Sequence, residues 1–459
     1  MAEAAKQTKP TEKTFFGHPR ALFTLFLTEM WERFSYYGMR ALLVLYMTQY
    51  LFIEVSHGKE IWGYSAFKGV LEYFFGTLST QAMSSQIYGL YTGFAYFTPF
   101  FGGIIADRFW GQRRSVYVGA VLMAIGHFVM AIESAFFPAL ILLILGNGFF
   151  KPNISTQVGG LYPQGDERRD RAYTLFYMGI NLGAFFSPLV CGTLGQKVGW
   201  HWGFGAAGVG MVIGLITYHF GGRNLPQAVH KESIQEIEAK AHQPLSKSDW
   251  TRTWALTFLC LVTIFFWAVY EQQGNTLQLW ADQSTDWNFF GWNMPSTWYQ
   301  SFNPMVIFIF APLLDRFWAW QSRRSSEPST AMKMAIGCFL AAIALFTMSY
   351  AARIVGPGKG SVLWLLGSTF MLTIAELYIS PIGLSLVTKV SPAKIVSMMM
   401  GVWFLATFFG NYLAGYVGSY YEVITKQQFF LVLTVLSIIP GLLFLFGSKV
   451  LTKHLAKDA

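Results

Sequence analysis

Apolar residues recur along this chain in runs long enough to cross a bilayer, each bounded by charge, glycine or proline. The runs fall near 21–52, 84–106, 115–133, 138–160, 172–193, 201–220, 253–274, 301–314, 331–352, 361–388, 397–418 and 427–448. A hydrocarbon core takes about 20 apolar residues per helix. The runs therefore read as twelve transmembrane helices of an all-α polytopic membrane protein. Only 12% of the 459 residues are charged, against about 25% in a soluble domain, so a soluble enzyme or binding module is excluded. Cys191, Cys260 and Cys338 all sit inside apolar runs, with neither a disulfide pattern nor metal-ligand spacing. The first 20 residues are polar and basic, with Lys6, Lys9, Lys13 and Arg20. They lack the short apolar core of a signal peptide, so the first span is expected to direct insertion.

Basic residues follow the alternation of the loops. Counting Lys333 at the edge of the ninth run with its loop, 24 Lys and Arg lie on the side of the termini and 6 on the other, which predicts cytoplasmic termini. The formal charge of +9 is then largely topology, and no nucleic acid partner is expected. An internal repeat supports two halves. Asp107-Arg108-Phe109-Trp110 after the second run recurs as Asp315-Arg316-Phe317-Trp318 after the eighth, each followed by an arginine pair. GIIADRFWGQRR at 103–114 resembles the loop motif of the major facilitator superfamily, which implies two six-helix bundles. The expected organisation is an N-tail at 1–20, a bundle at 21–220, a cytoplasmic linker at 221–252, a bundle at 253–448 and a C-tail at 449–459. HKESIQEIEAKAH at 230–242 reads as a linker helix with a solvated face. Asp107, Arg108, Asp315 and Arg316 are candidate gating residues, a latch for one transport state.

With Glu133 and Lys333 at span ends set aside, seven charges lie inside the spans: Glu29, Glu32, Arg33, Arg40, Lys151, Glu271 and Glu376. At roughly 3 kcal/mol each on an insertion scale, they cannot face lipid unpaired. At 100° per residue, Glu29, Glu32, Arg33, Tyr36 and Arg40 fall within an arc of roughly 100°, one polar stripe on the first helix. Three cations face four carboxylates, so one carboxylate is readily protonated, the physical basis of a proton carrier. The mixed signs favour a zwitterionic or polar substrate. No GxxxxGK[ST] phosphate loop occurs, and no cofactor other than the proton as coupling ion is expected.

The stretch Glu29-Met-Trp-Glu32-Arg33-Phe-Ser-Tyr36-Tyr37-Gly38 resembles the ExxERFxYYG signature of the proton-dependent oligopeptide transporter family. GNGFFKPN at 146–153, FYMGINLGAFFSP at 176–188, FFWAVYEQQG at 265–274, FNP at 302–304 and ELYISPIGLS at 376–385 resemble its helix motifs in order. The resemblance implies a bacterial-type proton symporter of di- and tripeptides working by alternating access. It implies proton coupling at Glu29, Glu32, Arg33 and Glu271, with Glu271 pairing with Lys151 or Arg40. It implies that Arg33 and Lys151 hold the peptide carboxylate and that Glu376, Asn181 and Asn303 hold the amino terminus. Tyr36, Tyr37, Arg40 and Tyr96 would line the cavity, and Trp267, Ser380 and Trp403 the side-chain pockets. Peptide-like drugs are further expected ligands, the bilayer the environment, the cell inner membrane the location and a monomer the working unit.

Two departures qualify the resemblance. Gly89 stands where animal members carry a histidine, and Tyr270 where some relatives carry a second acid. The linker is also too short for the two extra helices common in bacterial members. The competing readings are a same-family carrier of nitrate, an amino acid or a drug, and a drug/proton antiporter. An intramembrane enzyme is disfavoured, since no HExxH or serine-histidine setting stands out. Trp287, Trp292 and Trp298 are expected to be interfacial anchors only.

Overall fold

The computed structural model describes residues 14–163, 166–222, 225 and 245–455. Its long helices are α1 (Arg20–Tyr46), α2 (Thr80–Ile105), α3 (Gln112–Val129), α4 (Phe136–Gly160), α5 (Arg168–Ser187) and α6 (Trp200–Gly221). They continue as α7 (Lys247–Tyr270), α8 (Phe302–Arg323), α9 (Thr330–Val355), α10 (Val362–Leu377), α11 (Val396–Gly418) and α12 (Lys426–Leu455). Strand pairing among the described residues is limited to Thr14–Phe15 with His18–Pro19, Asn288–Phe289 with Trp292–Asn293, and a bridge from Thr285 to Gly360. The all-α expectation therefore holds.

Polar residues at the ends of the apolar runs start the helices. The Ser79 hydroxyl accepts from the Ala82 amide at 3.1 Å, and Ser246 and Asp249 cap each other's backbone reciprocally. Nine helices among the described residues are long and apolar enough to cross a membrane. The helices α1, α2 and α3 fall outside that set. The reason in α1 is its charge, with Glu29, Glu32, Arg33 and Arg40 on one helix; α2 opens on Gln, Ser and Thr, and α3 on Gln112, Arg113 and Arg114.

Boundaries differ from the apolar runs in two informative places. The eighth run, expected to end at 314, continues as helix to Arg323, so Asp315 and Arg316 lie exposed on a helix and not in a loop. The tenth breaks after Leu377 and resumes as Ser380–Val390, with Pro381 in the first turn. A helix at Tyr64–Phe75 had no counterpart among the runs. The expected linker helix at 230–242, residues 1–13 of the N-tail and residues 456–459 of the C-tail lie outside the described residues.

Buried apolar side chains form two clusters, one drawn from residues 21–225 and one mainly from 256–451, joined by Val44 and Leu45 of α1. Within the first, α1 packs on α5 and α6, and α3 on α4; within the second, α9 packs on α12 and α7 on α11. The two clusters meet where α2 crosses α11 and α5 meets α8. Glycine permits the first crossing: a Cβ on Gly89 would sit 2.6 Å from the Gly415 Cα and 2.7 Å from the Asn411 carbonyl oxygen. A histidine has no room there, which gives the departure at Gly89 a packing cause.

Candidate functional site

The polar stripe of α1 is buried, as its arc requires. Glu29, Glu32, Arg33, Tyr36 and Arg40 are all at most 8% exposed. Close approach of α5 seats the stripe, because a Cβ on Gly183 would meet the Met30 carbonyl and, at 3.0 Å, the Arg33 Cβ. The Arg33 guanidinium is shared. Its Nε lies 3.0 Å from Glu29 Oε1 and also ion-pairs with Glu32, and its carbon stands 5.3 Å over the Tyr36 ring. Among the described residues, both Glu32 oxygens, Glu29 Oε2 and Arg33 Nη2 have no hydrogen bond of good geometry. Two carboxylates on one guanidinium leave this cluster charge-rich and incompletely satisfied.

The next charge up α1 is matched one to one. Arg40 Nη2 donates to Glu271 Oε2 at 2.6 Å, and Arg40 Nε donates to the Tyr88 hydroxyl at 2.6 Å. Glu271 follows the last turn of α7, so the pair joins the two halves across the centre. The sequence left Lys151 and Arg40 both open as partners; the structure selects Arg40.

That leaves Lys151 and Glu376. Neither has an ion-pair partner among the described residues, and both are only partly buried, unlike the paired charges. The Lys151 ammonium stands 4.1 Å over the Tyr96 ring. Pro152 beside it, inside α4, removes one backbone donor. Glu376, on α10, accepts from the Tyr270 hydroxyl and from Asn303 Nδ2 at 3.2 Å; Asn303 Nδ2 also lies 2.9 Å from Thr373 Oγ1. Thus the unmatched cation belongs to the first half and the unmatched anion to the second.

Other expected residues divide. Asn303 reaches Glu376, whereas the Asn181 amide donates to the Tyr177 carbonyl of its own helix at 3.0 Å. Trp267 packs edge-on to Tyr270 at 5.6 Å. Trp403 is buried against Gly383, where a Cβ would overlap its ring, 2.6 Å from Cζ3. Tyr37 lies 5.2 Å from Tyr36, edge to face. Ser380 opens the helix after the break in α10 and is partly buried. Asp107 and Arg108 are exposed at the end of α2, far along the chain from the charged centre.

Sequence reasoning missed a seal at the end of the molecule opposite the start of α1. Asp282 accepts from Gln49 Nε2 at 2.5 Å, Ser296 Oγ at 2.7 Å and Gln196 Nε2 at 3.3 Å. Gln196 Oε1 accepts from the Thr297 amide and hydroxyl at 3.2 and 3.0 Å, and Trp298 Nε1 donates to Thr193 Oγ1 at 2.8 Å. Trp287, buried, donates to the Ala281 carbonyl at 2.5 Å. Trp287 and Trp298 are therefore parts of this packed seal, a correction to their reading as interfacial anchors only. Tyr88 and Tyr270 were also missed as partners, although Tyr270 was visible as a departure beside Glu271.

Among the described residues no cluster of His, Cys, Asp and Glu has the form of a metal site. The sequence model of the POT family matches residues 113–245 and 226–438. The chain is 32% identical over 480 residues to the peptide transporter YePEPT of Yersinia enterocolitica, covering 90% of this chain and 89% of that protein. It is 31% identical over 507 residues to a di-/tripeptide transporter of Lactococcus lactis subsp. cremoris, covering 96% of this chain and 98% of that protein. The crystal structure of peptide transporter POT in complex with sulfate superimposes with a TM-score of 0.82 at 30% identity, covering 96% and 97% of the two chains. A mutant of peptide transporter POT in complex with alafosfalin gives 0.81 at 30%, with the same coverage. On the family match, on these relatives and on the fold, the chain belongs to the POT family of membrane transporters.

Proposed function

We propose that this protein imports di- and tripeptides with protons by alternating access around the charged centre. The observation that carries the reading is the pair of unmatched charges, Lys151 on the first half and Glu376 on the second. A peptide in its zwitterionic form offers one carboxylate and one ammonium, and a site with one free pole of each sign complements both ends. Names of relatives point the same way, since those proteins are called peptide and di-/tripeptide transporters.

Arg33 begins on Glu29 and Glu32. Protonating one of these glutamates weakens its hold, and the guanidinium turns with Lys151 to the peptide carboxylate. Glu376 and Asn303 take the ammonium, with Asn181 close by. Tyr36, Tyr37 and Tyr96 line the path, and Trp267, Ser380 and Trp403 shape pockets for side chains, so selection acts on backbone length. The Arg40–Glu271 pair joins the halves and is the second proton-sensitive contact. The proton gradient drives accumulation, with about 2.3 kcal/mol per charge per 100 mV from its electrical part. No cofactor beyond the proton enters the cycle.

The same reading sets α1, α2 and α3 across the membrane as well, completing twelve spans in bundles at 21–220 and 253–448. It puts both termini in the cytoplasm of an inner membrane, following the 24 to 6 distribution of basic residues. The seal around Asp282 is then the outer gate. Asp107, Arg108, Asp315 and Arg316 serve the inner one. The protein works as a monomer, and peptide-like drugs, a class to which the ligand alafosfalin of the related structure belongs, are further substrates.

The test is uptake of labelled dialanine into liposomes holding the purified protein, with and without an inward proton gradient, for the wild type, Glu32→Gln and Lys151→Ala. Gradient-driven accumulation lost in both variants supports the reading. Dialanine that neither accumulates nor exchanges overturns it in favour of another substrate on this scaffold.

A further inference from the structure

The polar knot around Glu376 has a direction. The Thr373 hydroxyl spends its one hydrogen on the Thr369 carbonyl at 2.7 Å, so toward Asn303 Nδ2, 2.9 Å away, it can only accept. Asn303 Nδ2 has donor hydrogens alone and shares them with Thr373, with the Tyr270 hydroxyl at 3.1 Å and with Glu376 Oε2 at 3.2 Å. Having accepted from Asn303, the Tyr270 hydroxyl directs its own hydrogen to the same Oε2. Two donors, the Tyr270 hydroxyl and Asn303 Nδ2, meet on one carboxylate oxygen. Donation to a carboxyl group favours its ionised form, and two donors on Oε2 fix the plane of the carboxylate.

We infer that Tyr270, acting with Asn303, is a positioning residue that holds Glu376 as an oriented anion for the ammonium of the substrate and keeps Glu376 out of the proton relay. The inference rests on the proposed reading, in which Glu376 meets the amino terminus. It assigns the two halves different duties: the Glu29–Glu32–Arg33 cluster exchanges its proton, and Glu376 keeps its charge throughout. The other charged and titratable groups that act on Glu376 are Tyr37 and Arg40 from α1, Tyr177 from α5 and Glu271 after α7. None of these is hydrogen-bonded to it, so Tyr270 and Asn303 alone set its geometry among the described residues.

Tyr270→Phe removes the hydroxyl and keeps the ring that packs against Trp267. In liposomes the variant should raise KM for dialanine by about tenfold, the scale of one charge-assisted hydrogen bond, with a smaller change in the maximal rate. The rise should grow as the outside pH falls, because a Glu376 without its donor begins to take protons. Inhibition by N-acetyl-dialanine, which has no ammonium, should not change. Thr373→Val, which removes an acceptor that helps to orient Asn303, should give the same pattern more weakly and serves if the phenylalanine variant does not fold. Equal loss for the free and acetylated peptides, or a KM ratio independent of pH, overturns the inference and leaves Tyr270 a packing residue. Glu376→Gln separates the two levels: if it leaves the preference for a free amino terminus intact, the underlying reading fails. If it abolishes that preference while Tyr270→Phe does not alter it, the inference alone fails.

Discussion

The two halves of the charged centre are built on opposite terms. In the first half two carboxylates crowd one guanidinium, and both oxygens of Glu32 lack a good hydrogen bond among the described residues. In the second half a single carboxylate, Glu376, is met by two neutral donors, the Tyr270 hydroxyl and Asn303 Nδ2. A crowded, under-satisfied cluster gains when one carboxylate is neutralised, because buried like charges repel and lose solvation. An anion that accepts from two donors gains less from a proton than a crowded pair does. On the proposed reading, the contrast separates the residues that exchange a proton from the residue that keeps its charge.

The largest effect should come from breaking the crowded side. Arg33→Ala leaves Glu29 and Glu32 buried without a cation, at a cost of about 3–5 kcal/mol. It should lower the melting temperature in detergent and abolish uptake. A variant that transports normally would show that the guanidinium is not the shared counterion. Next, Glu271→Gln strips Arg40 of its partner, for a similar scale of destabilisation of about 3 kcal/mol, partly recovered in Arg40→Met/Glu271→Met. Absence of recovery in that double variant, read by thermal unfolding, would mean the two side chains do not act as a pair. Lys151→Ala removes a charge that has no ion-pair partner among the described residues and loses only its contact with the Tyr96 ring. Its melting temperature should stay near the wild type while KM for dialanine rises about 10- to 100-fold. Destabilisation as large as that of Arg33→Ala would contradict the account of Lys151 as a free pole. The smallest effect belongs to Asp282→Ala, which loosens the seal by about 1–2 kcal/mol and should speed labelling of a cysteine placed on Gln81, across the halves from Gly418. Unchanged labelling would remove Asp282 from the gate.

The first of these clusters was legible before any coordinates. Its residues lie on one helix, and a 3.6-residue period places Glu29, Glu32, Arg33, Tyr36 and Arg40 on one face whatever that helix packs against. The choice of Arg40 over Lys151 for Glu271 was not legible, because it depends on how α1 meets the end of α7. The Tyr270 hydroxyl was invisible for the same reason. Its partners come from α8 and α10, and the letter Y beside Glu271 reads only as a missing acid. The Asp282 seal escaped because it is made by short polar side chains from four separate segments, none of which carries a periodic signal. Trp287 and Trp298 were misread through a rule that holds for aromatics at lipid headgroups, whereas their indole nitrogens bond to protein groups. Gly89 turned out to be informative through packing, since α11 occupies the space that a side chain would need.

The most direct test of the central claim, that Lys151 and Glu376 are separate poles for the two ends of a peptide, is a competition measurement in liposomes. Dialanine, its C-terminal amide and its N-acetyl form would compete against labelled dialanine for the wild type, Lys151→Ala and Glu376→Gln. The account predicts that Lys151→Ala loses most of the preference for a free carboxylate and keeps the preference for a free amino terminus. Glu376→Gln should show the reverse. Equal loss of both preferences in both variants would contradict the assignment of one end to each half.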